Sequence, residues 1–160
     1  MKHTLSVLVE NKPGVLTRIS GLFYRRGFNI DSLAVGPTDD PNLSRMTIVV
    51  DAETHSLEQV TKQLHKLINV IKISDLDPSE SVQRELILIK VNAPSAKRAE
   101  IIEIADIFRA NIIDVAQNSL TIEATGTKDK LSAIEELCRN YGILELVRTG
   151  TVALGRGLRA

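Results

Sequence analysis

Residues Val7 to Ile19 read VLVENKPGVLTRI, and this stretch decides the fold. Its first part continues an alternation, with Leu5, Val7 and Val9 on one face, that marks a β-strand. Beyond Asn11-Lys12-Pro13-Gly14 the spacing changes: Val15, Leu16, Ile19, Leu22 and Phe23 recur at helical intervals. Arg25, Arg26 and Gly27 then supply cations and a glycine stop. A strand passes into a helix through four residues that carry an amide and a bare backbone, with no nucleophile and no phosphate loop.

Outward from this unit the pattern continues. FNIDSLAV and RMTIVVD read as two strands joined by the turn-rich GPTDDPNLS. Ser56 and Gln59 have capping-box spacing, and the helix behind them is expected to bury Leu57, Val60, Leu64, Leu67 and Ile68. NVIKISDL closes a βαββαβ order. Residues 77–83, DPSESVQ, have the composition of a linker. The order then repeats: RELILIKV is a strand, and Ile101, Ile104, Ala105 and Phe108 mark a helix. NIIDVAQ and SLTIEAT are strands, and Thr127 is placed to cap a helix carrying Leu131, Ile134, Leu137 and Cys138. GILELVRTG reads as the last strand. The predicted class is α+β, with two ferredoxin-like βαββαβ units in tandem over 1–76 and 84–160. With the usual strand order 4-1-3-2, the second strand of each unit is an edge that needs protection.

Composition narrows the function. The 160 residues are 43% hydrophobic, 25% charged and 3% aromatic, with 20 basic and 20 acidic side chains. No basic field or aromatic stacking platform suits nucleic acid. No apolar run approaches a membrane span or a signal peptide, so the expected compartment is the cytoplasm. A single cysteine, Cys138, excludes an internal disulfide and reads as core. His3, His55 and His65 are scattered, and Asp39-Asp40 before Pro41 reads as turn chemistry. GRGLRA, at 155–160, lacks the context of a nucleotide loop and reads as a tail. Nothing here assembles a catalytic or metal constellation, and a binding module is favoured over an enzyme.

The opening turn has two readings. It is an ordinary Asn-Lys-Pro-Gly turn, or a receptor in which helix N–H groups meet a carboxylate, Gly14 keeps the backbone open and Asn11 adds an amide. The second half offers a comparison. VNAPSAKRAEI keeps Asn92 and Pro94 and sets Ser95, a good helix cap, where the glycine would fall.

The string from Leu5 to Val50, above all GFNIDSL and PTDDPNLSRMTI, resembles the small, regulatory subunit of acetolactate synthase, whose first unit is an ACT domain. The resemblance continues through QLHKLINVIKISDL and RELILIKV to IFRANIIDV. It implies a homodimer that binds the catalytic large subunit, raises its activity and confers feedback inhibition by valine in branched-chain amino-acid synthesis. Thiamine diphosphate, Mg²⁺ and FAD would belong to that large subunit, with no cofactor in this chain. The family's ligand residues map onto Asn11, Gly14, Val15 and Leu16 and onto Asn29 and Ile30. A stand-alone ACT-type sensor shares the turn but lacks the PTDDPNLSRMTI string, and a small independent enzyme would need a cluster formed only in space. The first two strands run parallel, so the two groups of site residues fall at opposite ends of one copy. Antiparallel pairing of two edge strands would join them across a dimer.

Overall fold

A computed structural model describes residues 1–157, apart from the side chains of Thr54 and His55. The chain divides into two compact units, residues 1–83 together with the segment from Thr151, and residues 84–150.

The first unit runs β1 (Lys2–Glu10), α1 (Val15–Arg25), β2 (Ile30–Pro37), β3 (Leu43–Asp51), α2 (Thr54–His65) and β4 (Val70–Leu76). Its antiparallel sheet has the order β2-β3-β1-β4, which leaves β2 at an edge. Leu5, Val7 and Val9 turn toward the helices and are at most 2% exposed, because alternation sends them all to one face. They meet Val15, Ile19, Leu22 and Phe23 of α1 and Leu57, Val60 and Leu64 of α2 in one apolar cluster.

After a short 3-10 turn, Pro78–Glu80, the second unit is built on β5 (Ser81–Asn92). It continues with α3 (Arg98–Ile107), β6 (Asn111–Val115), β7 (Ser119–Gly126), α4 (Lys128–Arg139) and β8 (Ile143–Arg148). The strand order β6-β7-β5-β8 repeats that of the first unit. Ile87, Ile89 and Val91 pack with Ile101, Leu131, Ile134 and Cys138 in a separate core. The edge strands start alike: the β2–β3 register shifts between Ile30 and Ser32, and the β6–β7 register between Ile112 and Asp114, so Ile30 corresponds to Ile112. Both units are ferredoxin-like.

Several local expectations change. Residues 81–83 are not linker but the start of β5, and a further strand, β9 (Val152–Gly155), follows β8. β9 pairs with β5, lies against β1 and β4, and groups with the first unit rather than with residues 84–150. Its alternation is hard to read because Val152 and Leu154 face outward while the small Ala153 is the buried residue. Gly155 therefore ends a strand instead of opening a tail, and Arg156 N–H donates to Glu80 O at 2.8 Å. Leu158 to Ala160 lie outside the described residues.

Helix α2 starts two residues before Ser56, behind Glu53, and no side chain caps it. The Ser56–Gln59 box is thus inside the helix. Ile68 lies past the end of α2 and is 89% exposed, while Leu67 packs at the edge of the core. On α4, Thr127 does cap, its Oγ1 accepting from Lys130 N–H at 3.4 Å. Leu137 remains 40% exposed at the border of its apolar face.

Candidate functional site

The turn between β1 and α1 is held from both sides. Glu10 N–H donates to Asn69 O at 2.9 Å, Asn11 N–H to Asn42 O at 2.8 Å, and Lys12 Nζ lies 2.7 Å from Glu10 Oε2. The Asn11 amide donates to Pro41 O at 3.1 Å, which ties the β2–β3 loop over the turn. One amide hydrogen is thereby used and Oδ1 remains as an acceptor, suited to an ammonium.

Gly14 is the N-cap of α1, with φ +84, and no side chain caps the helix. A Cβ added there would meet nothing within 4 Å. Val15 N–H reaches Lys12 O only at 3.4 Å, while the N–H groups of Leu16 and Thr17 find no acceptor among the described residues. A helix start with unpaired donors and partial positive charge suits a carboxylate. The side chains divide: Val15 is buried in the core and has only its backbone to offer, whereas Leu16 is 43% exposed.

The other two residues are elsewhere. Asn29 is exposed just ahead of β2, and its side chain meets no partner among the described residues. Ile30 packs against the first core. Ile30 pairs with Val50, whereas Pro37 pairs with Ser44 and Glu10 with Leu43. The six-residue step from Ser44 to Val50 puts the Asn29 end and the Asn11 end about 20 Å apart. One copy brings Asn11, Gly14, Val15 and Leu16 together and leaves Asn29 and Ile30 at the opposite end of the sheet.

The second unit builds the same turn differently, one residue out of step with the Asn and Pro spacing. Asn92 N–H donates to Gly142 O and Ala93 N–H to Asn118 O, both at 2.8 Å, as Glu10 and Asn11 do in the first unit. Ala93 therefore takes the place of Asn11, and counting on from it Ala96, not Ser95, falls where Gly14 does, one residue short of the N-cap Lys97. Ser95 caps nothing: α3 begins at Arg98 behind Lys97. Arg98 Nη2 donates to the carbonyls of Ala93 at 3.1 Å, Ala116 at 2.7 Å and Gln117 at 2.8 Å. Its guanidinium fills the turn from within, a role that only the fold reveals.

The remaining candidates form no shared site among the described residues. Asp40 Oδ1 accepts from Asn42 N–H at 2.9 Å, as a turn former does. His3 Nδ1 lies 3.2 Å from Asp75 Oδ2, and His65 is exposed at the end of α2. His55 is within α2, its side chain outside the described residues. Burial pushes the Cys138 thiol up to about 11. Among the described residues no group of three or more His, Cys, Asp or Glu is placed to hold a metal. No helix among them is long and apolar enough to cross a membrane.

Comparison with known proteins gives the context. Residues 5–72 match a family model described as AHAS small subunit-like ACT domain, and residues 84–157 one described as small subunit of acetolactate synthase. The probable acetolactate synthase small subunit of Archaeoglobus fulgidus is 60% identical over 157 residues, 98% of each chain. The acetolactate synthase small subunit of Mycolicibacterium smegmatis is 59% identical over 98% of this chain and 92% of its own. A crystal structure of the acetolactate synthase small subunit from Thermotoga maritima superposes with a TM-score of 0.92, at 42% identity and 98% coverage of both chains. With two matching family models and near-full-length relatives at this identity, the chain belongs to the family of acetolactate synthase small subunits.

Proposed function

We propose that this chain binds the catalytic subunit of acetolactate synthase, raises its activity and makes it sensitive to feedback by valine. Thiamine diphosphate, Mg²⁺ and FAD belong in this reading to the catalytic partner, and both proteins work in the cytoplasm. The observation that carries the valine reading is the uncapped start of α1, where Gly14 leaves open space beside unpaired N–H groups. The carboxylate of valine lies against the N–H groups following Gly14, Asn11 Oδ1 accepts from its ammonium, and exposed Leu16 meets the isopropyl group.

Two copies complete the site. When the β2 edges of two chains pair antiparallel, the Asn29 end of one lies beside the Asn11 turn of the other. Asn29 and the Ile30 backbone then close over a valine held by Asn11, Gly14, Val15 and Leu16 of the partner, twice per dimer. A ligand that bridges two chains binds one packing of the dimer better than another. A difference of about 1–3 kcal/mol between those packings is enough for feedback.

Reconstitution tests this function. Adding the chain to purified catalytic subunit should raise acetolactate formation, and valine should reverse the gain. Activation without any response to valine would overturn the feedback reading, and no activation would overturn the partnership.

A further inference from the structure

On the face of the first sheet away from its helices, a cavity of about 320 Å³ is lined by Ser6, Leu8, Arg45, Lys72, Ser74 and Leu76, with Leu154, Gly155 and Gly157 from β9 and the residues after it. The register builds it. Arg45, Leu8 and Lys72 form one rung across β3, β1 and β4, and Thr47, Ser6 and Ser74 form the next. Two cations flanking one strand stand about 10 Å apart at the backbone, close enough for both long side chains to reach one ligand.

Among the described residues their charge is uncompensated. Lys2, Lys12, Lys90 and Lys97 each pair with a carboxylate, whereas Lys72 has no hydrogen bond or ion pair among the described residues. No Asp or Glu is among the described residues lining the cavity. Arg45 is oriented by one bond, Nη1 donating to Ser6 Oγ at 2.7 Å, which leaves the rest of its fork without a partner among the described residues. Ser6 has its own hydroxyl hydrogen to give. On the other side of Arg45 the paired residue is Gly36, which has no side chain to set beside it.

We propose that this cavity binds a phosphate group, free or on a small ester, with Arg45 and Lys72 balancing its charge and Ser6 and Ser74 donating to its oxygens. A planar fork, a point cation and two hydroxyls suit a tetrahedral oxyanion of charge near two. The site is independent of the amino-acid site at Gly14.

The test is an NMR titration of the full chain with inorganic phosphate, glycerol 3-phosphate and succinate at constant ionic strength. Saturable shifts of the Ser6, Leu8, Lys72 and Ser74 amides are expected with a phosphate. Lys72→Ala should weaken binding about tenfold, the loss of a charge-assisted bond, and Arg45→Lys should weaken it while keeping the charge. Tighter binding of glycerol 3-phosphate assigns an ester and tighter binding of inorganic phosphate the free ion. The proposal is overturned if no saturable shift occurs or succinate binds more tightly than either phosphate. An equal loss from Lys62→Ala, an exposed lysine on α2, would also overturn it.

Discussion

Gly14 adopts φ +84, a conformation that costs other L-residues about 1–2 kcal/mol, and a side chain there would extend into open space. Gly14→Ala should therefore cost a little stability and leave valine inhibition mostly intact. Gly14→Asp adds a carboxylate at the proposed anion site; valine inhibition should vanish in a reconstituted assay while activation persists. In the proposed site Asn29→Ala would remove one hydrogen bond to a charged ligand, and calorimetry should show valine binding weakened about tenfold. Cys138 gives a residue-scale check on the core. With its thiol raised to about 11 by burial, it stays protonated and should react with a thiol reagent only after unfolding. At this scale the turn at Gly14 and the burial of Cys138 were legible in the sequence. The role of Arg98 was not, because its three carbonyl partners come from two separated segments.

Helix starts show what a sequence pattern can and cannot specify. Thr127 and Ser56 both precede apolar helical runs, yet only Thr127 sits where its hydroxyl reaches an unpaired N–H. Thr127→Ala should lower the stability of the second unit by about 0.5–1 kcal/mol, the low end for a cap given its 3.4 Å bond. Ser56→Ala should leave stability unchanged or slightly improve it, since alanine is the better helix interior residue. Chemical denaturation of the two variants separates these outcomes. The alternation of β1 and β5 was readable because Leu5, Val7 and Val9 of one and Ile87, Ile89 and Val91 of the other are all buried on one face. Strand β9 was not, because its outward residues are the large ones and its pairing partner begins more than sixty residues upstream.

For the whole molecule, the repeated βαββαβ plan was visible in the element order, and the strand order β2-β3-β1-β4 followed from it. The order also placed Asn29 and Asn11 at opposite ends of one sheet, and the register bears that separation out. Equivalence between the two turns was misread by one residue, because Asn and Pro recur at a spacing that the backbone hydrogen bonds do not follow. The central claim is that valine sits between two chains, and it has a direct measurement. Homodimers of Gly14→Asp, and of Asn29→Ala at low valine, each carry two damaged sites. A hybrid dimer of the two variants places both changes in one site and leaves the other wholly wild type. Calorimetry on the purified hybrid should show one valine bound per dimer at wild-type affinity; absence of that restored site would contradict a ligand shared between chains.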